Sequence, residues 1–201
     1  MGIVERRERE RVEIRRKILD AGRELFAREG YEHVTMRGIA ETIEYSPTTI
    51  YNHFEDKDDV VKALCDEDFT RLLGALSSTA LPEDPVEQIR QLGRAYAAFG
   101  LQWPNHYRFM FLTPNKSHDL DRESPGHRSF GLLRSAVEHA IAGGRFREVD
   151  PDVAAQVLWS SLHGVIALLI TMQPQHWPTP PAKDLVEQVI EHGIRGFLAK
   201  A

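Results

Sequence analysis

Two complete helix start signals stand eleven positions apart, at Thr35 and Ser46, and that spacing constrains the fold more than any other feature of the chain. Thr35 is set to cap a helix, with Val34 before the cap and Ile39 at the fourth helical position placed to close a hydrophobic staple. Ser46 repeats the device. Pro47 follows at the first helical position, where a missing N–H costs nothing, and Tyr45 and Ile50 are spaced for a second staple. Between the two starts there is room for about two turns of helix and a connection of roughly three or four residues. Those are the dimensions of a helix-turn-helix, whose second helix enters the major groove of DNA.

The rest of the chain keeps a helical period almost without break. Ile14, Ile18, Ala21 and Leu25 make an apolar stripe on a first helix that Gly30 ends in a C-cap position. Asp56 is placed to cap a long fourth helix toward Leu76, and Pro82 to Pro85 separates it from a fifth through Gln102. A sixth begins at Pro104. A loop rich in Asn, Ser, Asp and Gly, Asn115 to Gly126, leads to a helix ending at Gly143 and Gly144. Asp150 and Pro151 open a helix through Met172, and a Pro-rich linker, Pro174 to Pro181, precedes the last helix, Asp184 to Leu198. No segment alternates like a strand. The predicted fold is all-α with about nine helices: a helix-turn-helix domain over residues 1–56 and a helical domain over 57–201.

Bulk properties narrow the function class. No uninterrupted run of about eighteen apolar residues exists and the N-terminus is charged, so neither a membrane span nor a signal peptide is predicted, and a cytoplasmic protein is expected. Cys65 is the only cysteine, lies on a stripe with Val61, Phe69, Leu72 and Leu76, and reads as a small core residue. The net charge of −5 argues against a protein that coats nucleic acid nonspecifically, yet leaves room for a local basic face. Arg6, Arg7, Arg9, Arg11, Arg15, Arg16 and Lys17 form the densest basic cluster, with Glu5, Glu8, Glu10 and Glu13 threaded through it. Two readings stand side by side: a solvated helical extension laced by i,i+4 pairs, and arginines that reach phosphate or the minor groove.

The residues LFAREGY, TMRGIAETI and SPTTIYNHFEDKDDVV, spread over Ile14 to Leu64, resemble the DNA-binding domain of TetR-type transcriptional repressors. NHYRFMFL (Asn105 to Leu112) and WSSLHG (Trp159 to Gly164) are similar to the ligand-binding half of a TetR subgroup marked by a Trp…His-Gly signature. The family usually carries Gly in the turn between the two reading helices. This chain has Glu44, which costs on the order of 1 kcal/mol if φ is positive there.

A short recognition helix presents its first residues to base edges, and Thr48, Thr49 and Asn52 are the base-edge candidates: Thr contacts a thymine methyl, and Asn pairs with adenine. Arg37 is a candidate phosphate clamp. The resemblance implies that Tyr51 and His53 contact phosphate. Lys57 opposes the macrodipole at the start of its helix, which favours an external anion. With the cap residues Thr35, Ser46 and Pro47, these complete the DNA-facing set; Ile50 and Phe54 are assigned to the core.

In the second half, Trp103, Tyr107, Met110, Phe111, Phe130, Trp159 and His163 bring large side chains together from several helices. By themselves they are as consistent with a solid core as with an apolar pocket, and the resemblance to ligand-responsive repressors implies the pocket. No phosphate loop, nucleophile elbow or metal-ligand spacing is present, so no enzyme activity, cofactor or metal is expected. The reading is a sequence-specific DNA-binding regulator: a repressor released from a palindromic double-stranded operator by a small, largely apolar ligand. It is expected to be a homodimer through its last two helices, with no membrane partner. A helical enzyme, or a ligand-binding protein with a secondary DNA-binding head, is the alternative.

Overall fold

The computed structural model describes residues 2–80, 82–112, 123–173 and 181–199. Among these residues there are nine α-helices and no strand: α1 (Ile3–Glu29), α2 (Met36–Thr42), α3 (Pro47–Tyr51), α4 (Lys57–Ser77), α5 (Pro85–Gln102), α6 (Pro104–Leu112), α7 (Pro125–Ala142), α8 (Pro151–Thr171) and α9 (Ala182–Arg195). Most of the predicted Asn115 loop and of the Pro174 linker lies outside the described residues. The chain divides into two compact units, Met1–Glu67 with Phe109–Asp119, and Asp68–Arg108 with Leu120–Ala201.

The starts follow from local chemistry. Asp84 accepts from the Val86 amide at 2.8 Å, Ser124 from His127 at 3.3 Å, and Asp150 from Asp152 at 2.8 Å; each is followed by Pro at the first helical position. Asp56 accepts from the Asp59 amide at 2.9 Å at the head of α4.

In the first unit Ile18, Leu25, Phe26, Ile39, Ile50, Phe54, Val60 and Leu64 are buried around α1. Val34 and Ile39, the two halves of the first staple, are both buried. Helix α1 extends N-terminally past this core to Ile3, so the charged cluster is helical and exposed.

The second unit packs α5, α7, α8 and α9 against one another. Two glycines set the spacing. A Cβ on Gly100 would lie 2.7 Å from Ile166 Cγ2, and one on Gly193 2.9 Å from Leu158 Cδ2. Partly buried ion pairs join α5 to α9: Arg90 to Glu191 at 2.5 Å and Arg94 to Glu187 at 2.9 Å. Hydrogen bonds from Arg94 and Arg90 hold the Glu187 and Glu191 carboxyls below the usual carboxylate range.

Helix α9 stops at Arg195, short of the predicted Leu198. The residues after it pair with the α7–α8 connection, where the Arg147 amide donates to the Phe197 carbonyl at 2.8 Å and the Ala199 amide to Arg145 at 3.0 Å. A second difference concerns α8. With mean hydropathy 1.8 over an 18-residue window, it is long and apolar enough to cross a membrane by length and composition. The uninterrupted run sought in the sequence misses it because Ser160, Ser161 and His163 punctuate the stretch. Only 28% of that window is buried within the chain.

Candidate functional site

The turn between α2 and α3 is a Schellman motif. The Tyr45 amide donates to the Ala40 carbonyl at 3.0 Å, the Glu44 amide donates to Glu41 at 3.2 Å, and Glu44 sits in the left-handed region with φ 59°. The cap hydroxyls are spoken for by backbone: Thr35 Oγ1 accepts from the Gly38 amide at 3.0 Å, and Ser46 Oγ from Thr49 at 3.2 Å. Ser46 Oγ also lies 2.9 Å from Thr49 Oγ1. Thr35 and Ser46 are therefore fixed by their helices. Pro47, next to Ser46, is exposed.

Helix α3 buries Ile50 and is followed by buried Phe54, while Thr48, Tyr51 and Asn52 face outward and Tyr51 is 57% exposed. An exposed tyrosine beside an exposed Asn and Thr, on a helix pinned by one apolar residue per turn, is a surface built for contact. Arg37 is exposed and paired with Glu41 at 3.0 Å, an i,i+4 pair that water screens and an anion can displace.

His53 is partly buried, and its pKa is lowered first by desolvation and then by the charges of Arg11 and Arg15. The Arg15 guanidinium lies 4.3 Å over the Phe54 ring, and Lys17 lies 5.7 Å over Tyr45. Cations of α1 thus border both ends of α3.

Lys57 departs from the reasoning that singled it out. Its Nζ donates to the Tyr31 carbonyl at 2.8 Å and stands 4.0 Å over the Tyr31 ring. A cation at a helix start needs compensation, and here the chain supplies it without an external anion. The Tyr31 hydroxyl donates to Asp58; that bond, with burial, pushes its pKa up to about 12.

The second unit gathers four of the sequence-derived ligand residues and adds one that sequence reasoning missed. Tyr107 stacks on His163 with centroids 5.5 Å apart, Trp159 lies 5.2 Å from His163, and Phe130 meets Trp159 edge-on at 6.4 Å. Tyr96 ties them together. Indole N–H can only donate, which makes the Tyr96 hydroxyl the acceptor from Trp159, while the hydroxyl–hydroxyl and hydroxyl–imidazole bonds are set by the hydroxyl rotors and the His163 tautomer. Trp159 Nε1 donates to the Tyr96 hydroxyl at 3.2 Å, the Tyr96 and Tyr107 hydroxyls share a hydrogen bond at 2.8 Å, and His163 Nδ1 is hydrogen-bonded to the Tyr107 hydroxyl at 2.7 Å and to that of Tyr96 at 3.3 Å. Burial pushes the Tyr96 phenol up to about 12, raises Tyr107 further, and lowers His163, so all three are neutral near pH 7.

Trp103, Met110 and Phe111 are the other three candidates. Trp103 is 45% exposed and edge-on to His106, whose Nδ1 lies 2.8 Å from the fully buried Asp68 carboxylate. Met110 is fully buried and Phe111 half-buried, and both group with the first unit. Among the described residues no three His, Cys, Asp or Glu side chains are arranged to hold a metal ion.

Two family models match the chain. One described as "Bacterial regulatory proteins, tetR family" covers residues 18–64, and one described as "Tetracyclin repressor-like, C-terminal domain" covers residues 89–192. The HTH-type transcriptional repressor AcnR of Corynebacterium glutamicum is 30% identical over 76% of this chain and 77% of its own length. AcnR of Corynebacterium efficiens is 38% identical over 77% and 79%. A bacterial regulatory protein in the tetR family from Rhodococcus RHA1 shares the fold, with a TM-score of 0.68 at 20% identity over 93% of this chain and 98% of that one.

Proposed function

The chain belongs to the TetR family and is a DNA-binding transcriptional regulator, not an enzyme; from that premise we propose that it is a cytoplasmic homodimeric repressor, released from a palindromic operator by a small, largely apolar ligand. In this reading residues 1–56 are the DNA-binding head and residues 57–201 bind the ligand and dimerise.

The observation that carries the DNA reading is the split surface of α3. Its apolar residue is buried in the head, while Thr48, Tyr51 and Asn52 are exposed together. Thr48 and Asn52 are assigned to base edges, with Thr49 as a lesser candidate because its hydroxyl is already engaged by Ser46. Tyr51, His53, Arg37 and Lys57 are assigned to phosphates; Lys57 retains two N–H donors beyond the one given to Tyr31. Thr35, Ser46 and Pro47 act through the caps that orient α2 and α3 and present backbone amides at the helix starts.

Dimerisation draws support from α8. Val153, Val157 and Leu168 are exposed at 54%, 46% and 45% on a helix whose composition otherwise suits a core. A Cβ added to Gly164 meets nothing within 4 Å, so that side of α8 is open to a second copy. Gly193 serves a different purpose: it lets α9 approach Leu158 within one chain. The effector is assigned to the neighbourhood of Tyr107, Phe130, Trp159 and His163, where aromatic faces surround a short polar chain. Its coupling to DNA is expected at about 1–3 kcal/mol, typical of linked sites.

The test begins with duplexes that the native protein selects from a randomised library. A two-fold-related pair of half-sites is expected. Asn52→Ala or Thr48→Ala should relax preference at one symmetric position in each half-site, by about 1–3 kcal/mol per good contact. Uniform weakening over all sequences would reassign that residue to phosphate positioning. A panel of hydrophobic compounds in thermal melts tests the effector: one that stabilises the fold should release DNA over the same concentration range.

A further inference from the structure

We propose that the arginine stripe on the exposed N-terminal turns of α1, Arg7 and Arg11 in line with Arg15, is a second DNA contact that grips backbone phosphates flanking the bases read by α3. This rests on the DNA-binding reading above and extends it to a surface that the helix-turn-helix does not include.

The argument starts from helix geometry. Residues four apart lie on one face and about 6 Å apart along the axis, so Arg7, Arg11 and Arg15 form a ridge about 12 Å long. Its inner end is anchored. Arg15 lies 4.3 Å over Phe54, just beyond α3, which places the ridge alongside the reading helix. The same face of α1 carries Ile18 and Gly22 into the core farther along, so the ridge continues the line by which α1 packs on the head. His53, which follows α3, feels the charges of both Arg11 and Arg15.

Ion pairing separates this ridge from Arg16 and Lys17, whereas Arg6 and Arg9 are separated from it by the face of the helix on which they lie. Lys17 is paired with Glu13 at 3.2 Å, Arg16 faces Asp20 at 3.7 Å, and Arg9 donates to the Glu5 carbonyl at 3.2 Å. Among the described residues Arg7, Arg11 and Arg15 make no ion pair. The acids interleaved with them fall on other faces at 100° per residue, except Glu8, which sits at the margin of the ridge. A chain of net charge −5 that keeps three cations in a row, unpaired and beside its reading helix, presents a local field complementary to a phosphate backbone. Continuity with α3 and the length of the ridge select duplex DNA outside the half-site core. An anionic lipid surface is disfavoured because Val4 and Val12, the large exposed hydrophobic residues of these turns, stand eight positions apart with charged residues filling the turns between them, too sparse for an apolar face.

The experiment uses the full chain and the duplex it selects, in two lengths: the half-sites alone, and the half-sites with about ten flanking base pairs on each side. Affinity is measured by fluorescence anisotropy over a salt series. The native protein should bind the longer duplex more tightly and with a steeper salt slope. Arg7→Ala combined with Arg11→Ala should abolish that difference, making the slope on the long duplex shallower by about two units per subunit, with base preference and circular dichroism unchanged. Arg6→Ala combined with Arg9→Ala removes the same charge from the opposite face and should leave the slope on the long duplex within about half a unit of native.

Equal loss in both double variants would overturn the ridge in favour of a diffuse field. No length dependence in the native protein would overturn the flanking contact while leaving the α3 reading intact. If the native protein selects no duplex at all, the DNA-binding reading itself fails and takes the ridge with it. Binding of the native protein, but not of the Arg7 and Arg11 double variant, to phosphatidylserine vesicles without any effect on DNA would reassign the ridge to a membrane surface.

Discussion

Replacing Glu44 with glycine should stabilise the reading head, although no side-chain contact is gained. Glu44 is the only non-glycine with positive φ among the described residues, at 59°, and the Schellman bonds around it hold it there. An L-residue in that region costs about 1–2 kcal/mol relative to glycine. Glycine returns part of this gain because it loses more backbone entropy on folding, about 0.5–1 kcal/mol. The Glu44 side chain is exposed and makes no ion pair among the described residues, so nothing further offsets the exchange. The net gain is about 0.5–1 kcal/mol, a rise of roughly 1–4 °C in Tm for cooperative units of this size. Glu44→Val tests the same reasoning from the other side: a β-branched residue is worse still at positive φ, and it should melt below the native protein. Urea titrations of the three proteins by circular dichroism give the ordering directly. If glycine is neutral or destabilising, or if valine matches glutamate, the turn is not held in the left-handed region and the strain argument fails. Operator affinity should change little with glycine, because the two backbone bonds that orient α3 remain.

Two other outcomes follow from the second unit. Val157→Glu, on the exposed side of α8, should give a folded monomer by sedimentation with weak operator binding, whereas Gly193→Arg should lower the melting temperature because its Cβ displaces the Leu158 side chain and the rest of arginine must fit between α8 and α9; a Gly193→Arg protein as stable as native would refute the packing account. For His163, burial lowers the pKa in the folded state, so the unfolded chain takes up the proton first and stability falls as pH drops below about 6.5 toward the folded value. His163→Gln should flatten that part of a pH series of melts, and an unchanged profile would show that His163 does not contribute to it.

The parts of the fold that could be read in the sequence are those fixed by neighbours a few positions away. Thr35, Ser46, Asp84 and Asp150 cap because their own hydroxyl or carboxylate reaches amides two or three residues on, and no distant partner alters that geometry. The cost of a positive φ at Glu44 is equally local. Lys57 marks where such reasoning stops: the macrodipole argument identified a cation in need of compensation, but the compensating carbonyl and ring belong to Tyr31, 26 positions away. Gly193 makes the same point. A small residue in a long helix signals close approach, and only the packed chain shows that what approaches is Leu158 of α8.

Tyr96 is the instructive omission. On α5 it falls in register with Ile89, Leu92 and Phe99, and an apolar stripe is sufficient to explain its ring. Its hydroxyl is a different matter, since a buried O–H needs partners, and a tyrosine on a core stripe is therefore a signal that polar groups wait on facing helices. Those groups are Tyr107 of α6 and Trp159 and His163 of α8, two of them already singled out as aromatic candidates and the third as a histidine next to a glycine. Once Tyr96 is included, the cluster changes from a set of large side chains to a connected hydrogen-bond network running from an indole N–H through two hydroxyls to an imidazole. A ligand carrying an acceptor or donor can break or extend such a chain only at a cost in satisfied bonds. An apolar body with a few hydrogen-bonding atoms, placed among these rings, would then be discriminated by those atoms more than by its size.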